Sequence, residues 1–145
     1  MEQKKCIVRV LSILKHDGET EEIETLSEGF LREKEKSVEI VYREIADDES
    51  EETKVHITFS SSESGSKGYE CRIVRKGSTE SEMLFLPDYE TCCMYRTPFG
   101  ELGFEVNTSL VEFNTESECV KGHLKYSLSS NGSALSEAEV TIIAV

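Results

Sequence analysis

Short stretches in which apolar and polar residues alternate run through most of this chain, and turn residues separate many of them. The clearest stretch spans residues 120–128, where Leu124, Tyr126 and Leu128 share one face and basic residues occupy the other. Alternation with a period of two is typical of a strand that buries one face. Many such strands, with tight turns and little sign of long helices, predict an all-β protein built as a barrel or a sandwich.

The turns and the alternating segments predict eight to ten antiparallel strands. Asp17-Gly18 and Asn131-Gly132 fit two-residue hairpin turns, because both central positions of such turns need positive φ. The predicted strands include residues 5–14, 38–42, 55–59, 69–73, 83–85, 102–106, 109–114, 120–128 and 138–144. An acidic segment over residues 47–52 and a serine-rich segment over residues 60–66 are predicted as loops.

One segment, residues 20–36, is ambiguous from its local pattern. Ile23, Leu26 and Phe30 sit at helical spacing among residues that favour helices. Gly29 interrupts them, and a mid-helix glycine costs about 1 kcal/mol relative to alanine. The residues alone leave helix and strand as equal alternatives here.

Length and charge limit the classes of function. The 145 residues suit one domain, residues 1–145, that folds without disulfides or metal. The 29 acidic and 16 basic residues give a net charge of −13, which repels nucleic-acid phosphates and anionic lipids. No apolar run approaches the roughly 20 residues that a membrane helix needs. We therefore expect neither a nucleic-acid partner nor a membrane.

The cysteines predict reduced thiols and no metal centre. Five of them stand at irregular spacing, which does not describe a disulfide framework. Arg9 interrupts the first apolar stretch, which reads as a strand and not as a signal peptide, so we expect a cytoplasmic protein. Cys92 and Cys93 are adjacent, and adjacent side chains of a strand point to opposite faces, which disfavours a shared metal. No cofactor is expected.

Several segments together resemble a known family. They are Arg75-Lys76-Gly77, Ser81-Glu82-Met83-Leu84-Phe85, Tyr95-Arg96-Thr97-Pro98-Phe99-Gly100 and Leu124-Lys125-Tyr126-Ser127-Leu128, with Glu28-Gly29 and Tyr42-Arg43-Glu44 upstream. Their order and spacing resemble the YwiB-like family of small bacterial proteins, a domain of unknown function (DUF1934), over residues 5–144. The resemblance implies a calycin-like, lipocalin-like antiparallel barrel in which residues 20–36 form a strand, and it implies no reaction. Phe99 departs from the family, which more often has tyrosine there.

Three residues of the predicted interior carry polar groups that a ligand could use. Arg75 shares the phase of the inward residues of its strand, and Glu44 shares the phase of Tyr42. A charge that points into a barrel must be paired or must meet a ligand, because an unpaired buried charge is costly. We therefore expect Tyr42, Glu44 and Arg75 to line one mouth and to bind a polar group of a small ligand. The alternative is that both charges lie at strand ends and reach water.

The segment Tyr95-Arg96-Thr97-Pro98-Phe99-Gly100 adds candidates at a turn. Pro98 presets the backbone for the first central turn position, and Gly100 tolerates conformations that other residues avoid. One interpretation is a structural corner between two strands. The other is a mouth loop, with Tyr95 nearby, that aims Arg96 and Thr97 at a ligand.

The sequence favours binding over catalysis. It contains no zinc-protease, nucleophile-elbow or phosphate-loop pattern, so we expect no catalytic residues. The leading hypothesis is a non-catalytic barrel that binds a small, partly apolar ligand. The alternative is an interaction module with a filled barrel, which binds a partner or itself, as a homodimer, through its outer face or an edge strand. Bulky residues on predicted inward faces favour a filled interior: Phe59, Phe85, Phe104 and Tyr126.

Overall fold

The protein folds as a sequence of ten strands. The computed structural model describes residues 3–45, 52–61, 68–116 and 119–145, so most of the two predicted loops, 47–52 and 60–66, lies outside the described residues. The strands are β1 (Gln3–His16), β2 (Glu19–Glu33), β3 (Ser37–Ile45), β4 (Glu52–Ser61), β5 (Tyr69–Gly77), β6 (Ser81–Phe85), β7 (Glu90–Thr97), β8 (Gly100–Glu116), β9 (Cys119–Ser130) and β10 (Ser133–Ala144). The all-β prediction and the predicted number of strands are confirmed.

All ten strands belong to one antiparallel sheet that curls almost into a closed barrel. Their order is β6-β5-β4-β3-β2-β1-β10-β9-β8-β7, so β1 and β10 pair and bring the first and last strands together. The two margins of the sheet, β6 and β7, are joined by one pair of backbone hydrogen bonds next to β6. Glu80 N–H donates to Arg96 O at 2.9 Å, and Arg96 N–H donates to Glu80 O at 2.8 Å.

Side chains continue the junction between β6 and β7 where backbone pairing stops. The Thr91 hydroxyl donates to the carbonyl oxygen of Leu84 at 2.7 Å. The backbone of Glu82 also lies within reach of the Cys93 sulfur. Because side chains replace a regular ladder here, the two margins are joined but not fully paired.

The strand β2 confirms what the family resemblance implies for residues 20–36. All 14 residues of β1 have a partner in β2, from Gln3–Arg32 to His16–Glu19. This continuous pairing overrides the helical spacing of the apolar residues, since tertiary context outweighs weak local propensity. The next strand pairs with β2 only over its last residues, from Gly29 opposite Tyr42 to Glu33 opposite Val38. Residues of β2 that precede Gly29 are not paired with β3.

Two other strand predictions need correction. The predicted strands at 102–106 and 109–114 are one strand, β8, whose pairing with β9 shifts register between Thr108 and Leu110. This irregularity breaks the alternation, so that one strand reads as two. The strand β7 was not predicted from alternation, because its sequence mixes polar and sulfur-containing residues without a clear period.

The hairpin turns agree with their predicted chemistry. Asp17 and Gly18 have φ of 49° and 78°, and Asn131 and Gly132 have φ of 52° and 81°. Positive φ at both central positions matches the twist of antiparallel strands. Both turns therefore fix the register of long hairpins.

Aromatic residues fill one end of the barrel, which we call the aromatic end and define by Phe59, Tyr69, Phe113 and Gly122. The Phe59 ring lies 5.6 Å from that of Phe113, centroid to centroid, and the Tyr69 ring lies 4.6 Å from it. The Phe59 ring also lies directly over Gly122, where a Cβ atom would overlap it. Gly122 is therefore required by close packing.

Further rings occupy the middle of the interior. Phe85 packs on Tyr126 with ring centroids 4.7 Å apart. Phe59 and Phe85 are fully buried, and Tyr126 is partly buried and packs against the core, as predicted, whereas Phe104 is partly buried without belonging to that cluster. The predicted filling of the interior therefore holds for three of the four bulky residues.

Candidate functional site

A polar group of side chains lies at the end of the barrel opposite the aromatic end. The strand register places Tyr42 opposite Val55, Val55 opposite Arg75, and Arg75 opposite Ser81. Residues directly opposite in a sheet point to the same face, so Tyr42, Arg75 and Ser81 share the inner face. Glu44 and Thr53 face each other one inward position nearer the strand ends. We call this group the polar mouth: Tyr42, Glu44, Thr53, Arg75 and Ser81.

Arg75 is the cation of the polar mouth and is only partly paired. Its side chain is 24% exposed, and one Nη atom lies 3.7 Å from Oε1 of Glu44, whose own side chain is 41% exposed. That distance allows an ion pair but exceeds a normal hydrogen bond. Guanidinium has five N–H donors, so among the described residues most of them are left for a group that enters from the mouth.

Tyr42 supplies a buried phenol beside this pair. The residue is 4% exposed. Burial raises the pKa of Tyr42 to about 12, and the negative charge of Glu44 adds to the rise while Arg75 opposes it. The phenol is therefore neutral at physiological pH and keeps an O–H donor.

Hydroxyl groups of β4 and β6 and of the turn before β6 border the arginine, and one of them lacks a partner in the described part of the chain. Thr53 and Ser78 share a hydrogen bond of 2.9 Å between their hydroxyl oxygens. The Ser81 hydroxyl is buried and has no hydrogen-bond partner among the described residues, and the same holds for Thr108. An unsatisfied buried hydroxyl costs about 1–3 kcal/mol, so Ser81 needs a further partner.

The charge of Arg75 also acts across the barrel. Burial raises the pKa of Tyr126 on β9, and the positive charge of Arg75 counteracts part of that rise. Burial likewise raises the pKa of Cys93 on β7, and the Glu82 backbone and the charge of Arg75 oppose that rise. Arg75 therefore lies within electrostatic reach of three other strands.

The structure brings together some predicted site residues and not others. Tyr42, Glu44 and Arg75 form one group, and both charged side chains reach solvent, as the alternative interpretation expects. The sequence reasoning missed Ser81 and Thr53, although both share the phase of inward residues on their strands, which was an available signal. Cys92 is exposed and Cys93 buried, so the adjacent cysteines do point to opposite faces.

The turn residues are held by their own hairpin. The Thr97 hydroxyl donates to Gly100 O at 3.0 Å and accepts from Phe99 N–H at 3.1 Å. Arg96 pairs on the outside with Glu101, with 3.1 Å between Nε and Oε1, and is 62% exposed. These bonds favour the structural-corner interpretation for both side chains, and a role of Arg96 and Thr97 at a mouth stays a prediction.

Two aromatic residues, Tyr95 and Phe99, flank Arg96 and Thr97 in the same hairpin. Tyr95 and Thr97 share the phase of buried Cys93 and are both partly buried. Because the turn uses the Thr97 hydroxyl, Tyr95 is the remaining candidate of this segment on the inner side. Phe99 is 99% exposed at the tip of the hairpin. A tyrosine hydroxyl at that position would also project into solvent, so the departure at Phe99 leaves the polar mouth unchanged.

Two clefts among the described residues lie on the outer wall of the barrel. One, of about 490 Å³, is bordered by β1, β8, β9 and β10 and carries Lys15, Lys125 and Glu139. Another, of about 540 Å³, is lined by Ile7, Phe30 and the chain's last residue. Over the described ranges, the structure has no helix that is long and apolar enough to cross a membrane.

Comparisons with known proteins assign the family. The model of DUF1934, a domain of unknown function, matches residues 8–142. The chain belongs to the DUF1934 family. This membership confirms the resemblance that the sequence segments indicate.

A solved structure supports the same fold. The crystal structure of the ywiB protein from Bacillus subtilis superposes on this DUF1934 protein with a TM-score of 0.77 and 23% identity, and the match covers 97% of this chain and 91% of that chain. At this identity the likeness concerns the fold. No curated protein matches the chain. The classification as calycin-like or lipocalin-like stays a prediction.

Proposed function

We propose that this DUF1934 protein is a non-catalytic binding barrel whose polar mouth holds the anionic head group of a small, partly apolar ligand. The observation that carries the proposal is the inward-facing Arg75, which is 24% exposed and, among the described residues, has a single ionic partner at 3.7 Å. A guanidinium in this position can form two parallel hydrogen bonds with a carboxylate or phosphate.

Three groups around Arg75 suit such a head group. The buried hydroxyl of Ser81 stands opposite Arg75 in the register and lacks a partner among the described residues. The neutral phenol of Tyr42 faces Glu44 and becomes a second donor once that carboxylate moves away. Glu44 is half-exposed and can turn to water when an anion takes its place beside the arginine. Ser81 and Tyr42 together offer an anion two hydrogen bonds in addition to those of Arg75.

The packing inside the barrel limits the size of the ligand. The aromatic end is filled by Phe59 and Phe113, and Phe85 with Tyr126 occupies the middle. A long chain would have to displace these rings. We therefore expect a ligand of few carbon atoms whose apolar part lies near the mouth.

The same residues argue for binding and against catalysis. The polar mouth combines a cation, a carboxylate, a phenol and hydroxyls. Two histidines, His56 and His123, instead lie on the outer face and pair with Glu39 and Glu139. A nucleophile with an adjacent base is thus not assembled at the polar mouth from the described residues.

The test is a thermal-shift panel of matched anionic and neutral compounds. Hexanoate, benzoate and phenyl phosphate are each compared with hexanol or benzyl alcohol. A compound at about ten times its Kd should raise Tm by about 3–6 °C. Arg75→Met should abolish this response, whereas Lys76→Met, which changes an exposed neighbour, should keep it.

Three outcomes would count against the proposal. One is a wild-type protein that responds to none of the anions. Another is equal stabilisation by the neutral compounds. The third is an anion response that survives in Arg75→Met, since binding would then occur elsewhere on the protein.

The expectation of a partner bound on the outer surface concerns different residues and stays a prediction.

A further inference from the structure

The strand β2 has a long edge without a neighbour. It pairs with β3 only from Gly29 onward, so residues 19–28 have β1 on one side and no strand on the other among the described residues. Seven of these residues belong to one exposed run, Glu19–Thr25, and Leu26 is 66% exposed. An extended, exposed edge of this length can accept another strand.

The register identifies which backbone groups face the free edge. Both backbone groups of Ile7 bond to Val145, on the β10 side, at 2.8 and 3.0 Å. Strand residues alternate in the neighbour that they face, so Cys6 and Val8 bond to β2, and so do the other even-numbered residues of β1. Their partners in β2 are odd-numbered, from Glu19 to Gly29. The backbone groups of the even-numbered residues of β2 therefore point away from β1.

These even-numbered residues define what we call the open edge: Thr20, Glu22, Glu24 and Leu26. Lys34, also even-numbered, shows the same direction: its N–H points away from β1 and donates to Ser37 O, at the start of β3, at 2.8 Å. Among the described residues, the four N–H and four C=O groups of the open edge have no backbone partner. They are solvated and available for pairing.

The side chains along β2 indicate the chemistry of the occupant. The outer face of the open edge carries Glu22, Glu24, which also pairs with Arg9 at 3.0 Å, and Leu26. On the inner face Glu19 and Glu21 precede Ile23, which is 40% exposed. Opposite charges across a strand pair stabilise and like charges destabilise. Opposite residues 22–26, a docked strand would therefore carry basic side chains on its outer face and apolar side chains on its inner face, in alternation.

A second copy of this chain does not fit that description. Pairing β2 with another β2 would bring glutamates against glutamates, and each chain has a net charge of −13. We propose that the open edge binds an extended segment of another protein in which Lys or Arg alternates with Val or Ile, and that this segment adds a strand to the sheet.

The experiment uses two peptides of the same composition. The probe is the capped peptide Lys-Val-Lys-Ile-Lys-Val-Lys, and the control is Lys-Lys-Lys-Lys-Val-Ile-Val. In full-length, ¹⁵N-labelled protein, binding of the probe should shift the NMR signals of the open-edge amides. It should also protect those amides from hydrogen exchange. The control has the same charge but cannot present one basic face, so it should bind more weakly.

Two variants at one position separate backbone pairing from charge. Glu22→Ala removes the charge alone, and Glu22→Pro removes the charge and an edge N–H that no strand of the protein uses. Proline at an edge-facing position keeps the β1 ladder intact. Glu22→Pro should bind the probe about five- to tenfold more weakly than Glu22→Ala. Leu26→Pro is the second variant if Glu22→Pro fails to fold.

The proposal is overturned if the probe does not bind at low ionic strength, or if both peptides bind equally well. It is also overturned if Glu22→Pro and Glu22→Ala bind alike, because charge alone would then explain the affinity. A wild-type dimer in sedimentation that Glu22→Pro dissociates would show that a second copy occupies the edge. Arg75→Met should leave probe binding unchanged, so this test is independent of the polar mouth.

Discussion

The two ends of the barrel interior solve the packing problem differently. At the aromatic end, three rings fill the space so closely that Gly122 cannot carry a side chain. At the polar mouth, Arg75 has one long ionic contact and the hydroxyl of Ser81 has no partner among the described residues. The first arrangement stabilises the fold. The second leaves polar groups unsatisfied, which is typical of a site that awaits a ligand.

The largest expected effect lies at the aromatic end. Phe59→Ala should lower the free energy of unfolding by about 3–5 kcal/mol, because it removes a fully buried ring and leaves a cavity. Chemical denaturation measures this loss. A cost below about 1 kcal/mol would contradict the tight packing of this end.

A double-mutant cycle sharpens the same point. Gly122→Ala should cost about 1–3 kcal/mol in the wild type, because the new Cβ overlaps the Phe59 ring. In the Phe59→Ala background the methyl group has room, so the cost should largely vanish. Equal costs in both backgrounds would mean that the ring and the glycine do not interact.

The next effect is the alkaline pH dependence that Tyr42 contributes. Folding raises its pKa from about 10 to about 12, so the folded state holds the proton more tightly. This stabilisation, about 2–3 kcal/mol, is complete below pH about 10 and is lost as the pH rises through about 12. Denaturation at several alkaline pH values should show a shallower decline in Tyr42→Phe. Some decline should persist, because the pKa of Tyr126 is raised as well. Identical slopes in the two proteins would contradict a buried phenol.

A smaller effect is expected for Arg75. Arg75→Met should change the free energy of unfolding by less than about 1 kcal/mol, since the 3.7 Å pair with Glu44 is partly solvated and methionine keeps the apolar stem packed. Denaturation of Arg75→Met beside Lys76→Met provides the comparison. A loss of several kcal/mol would make Arg75 a structural residue, and the two ends of the barrel would then serve the same purpose.

The smallest effect concerns an outer-face pair that belongs to neither end. His123 Nε2 lies 2.8 Å from Glu139 Oε1, and this hydrogen bond holds the pKa of Glu139 below its ordinary value. The stabilisation that this carboxylate contributes is present above the ordinary pKa and is lost as the pH falls through the lowered one. In His123→Gln the pKa of Glu139, followed by NMR titration, should move upward. An unchanged value would remove the pair as its cause.

Alternation in the sequence was enough to predict the inner and outer faces of several strands. Phe59, Phe85 and Arg75 all lie on their predicted faces, because a period of two is a property of the strand itself. The sequence could not show which inward residues meet across the barrel. Ser81 stands opposite Arg75 only because of the register between β5 and β6.

Other features that the sequence could not settle also depend on contacts between distant residues. Arg96 and Thr97 look available in the sequence, yet a neighbouring glutamate and a turn carbonyl use their polar groups. The local pattern of residues 20–36 left helix and strand open, since partners supplied by β1 decide the conformation. The separation of β2 from β3 at Gly29 has no signal in local alternation either. Gly29 has no room for a Cβ atom between Tyr42 and Val8, and that crowding appears only in three dimensions.

The most direct test of the account follows the Nε–Hε signals of the arginine side chains by NMR while hexanoate is added, with hexanol as the neutral control. If the polar mouth binds an anionic head group, the Arg75 signal should shift with saturation under hexanoate and remain still under hexanol. Exposed Arg72, which pairs with Glu82 outside the barrel, should move little in either titration. Equal, unsaturated shifts of Arg72 and Arg75, or no shift of Arg75, would contradict the central claim.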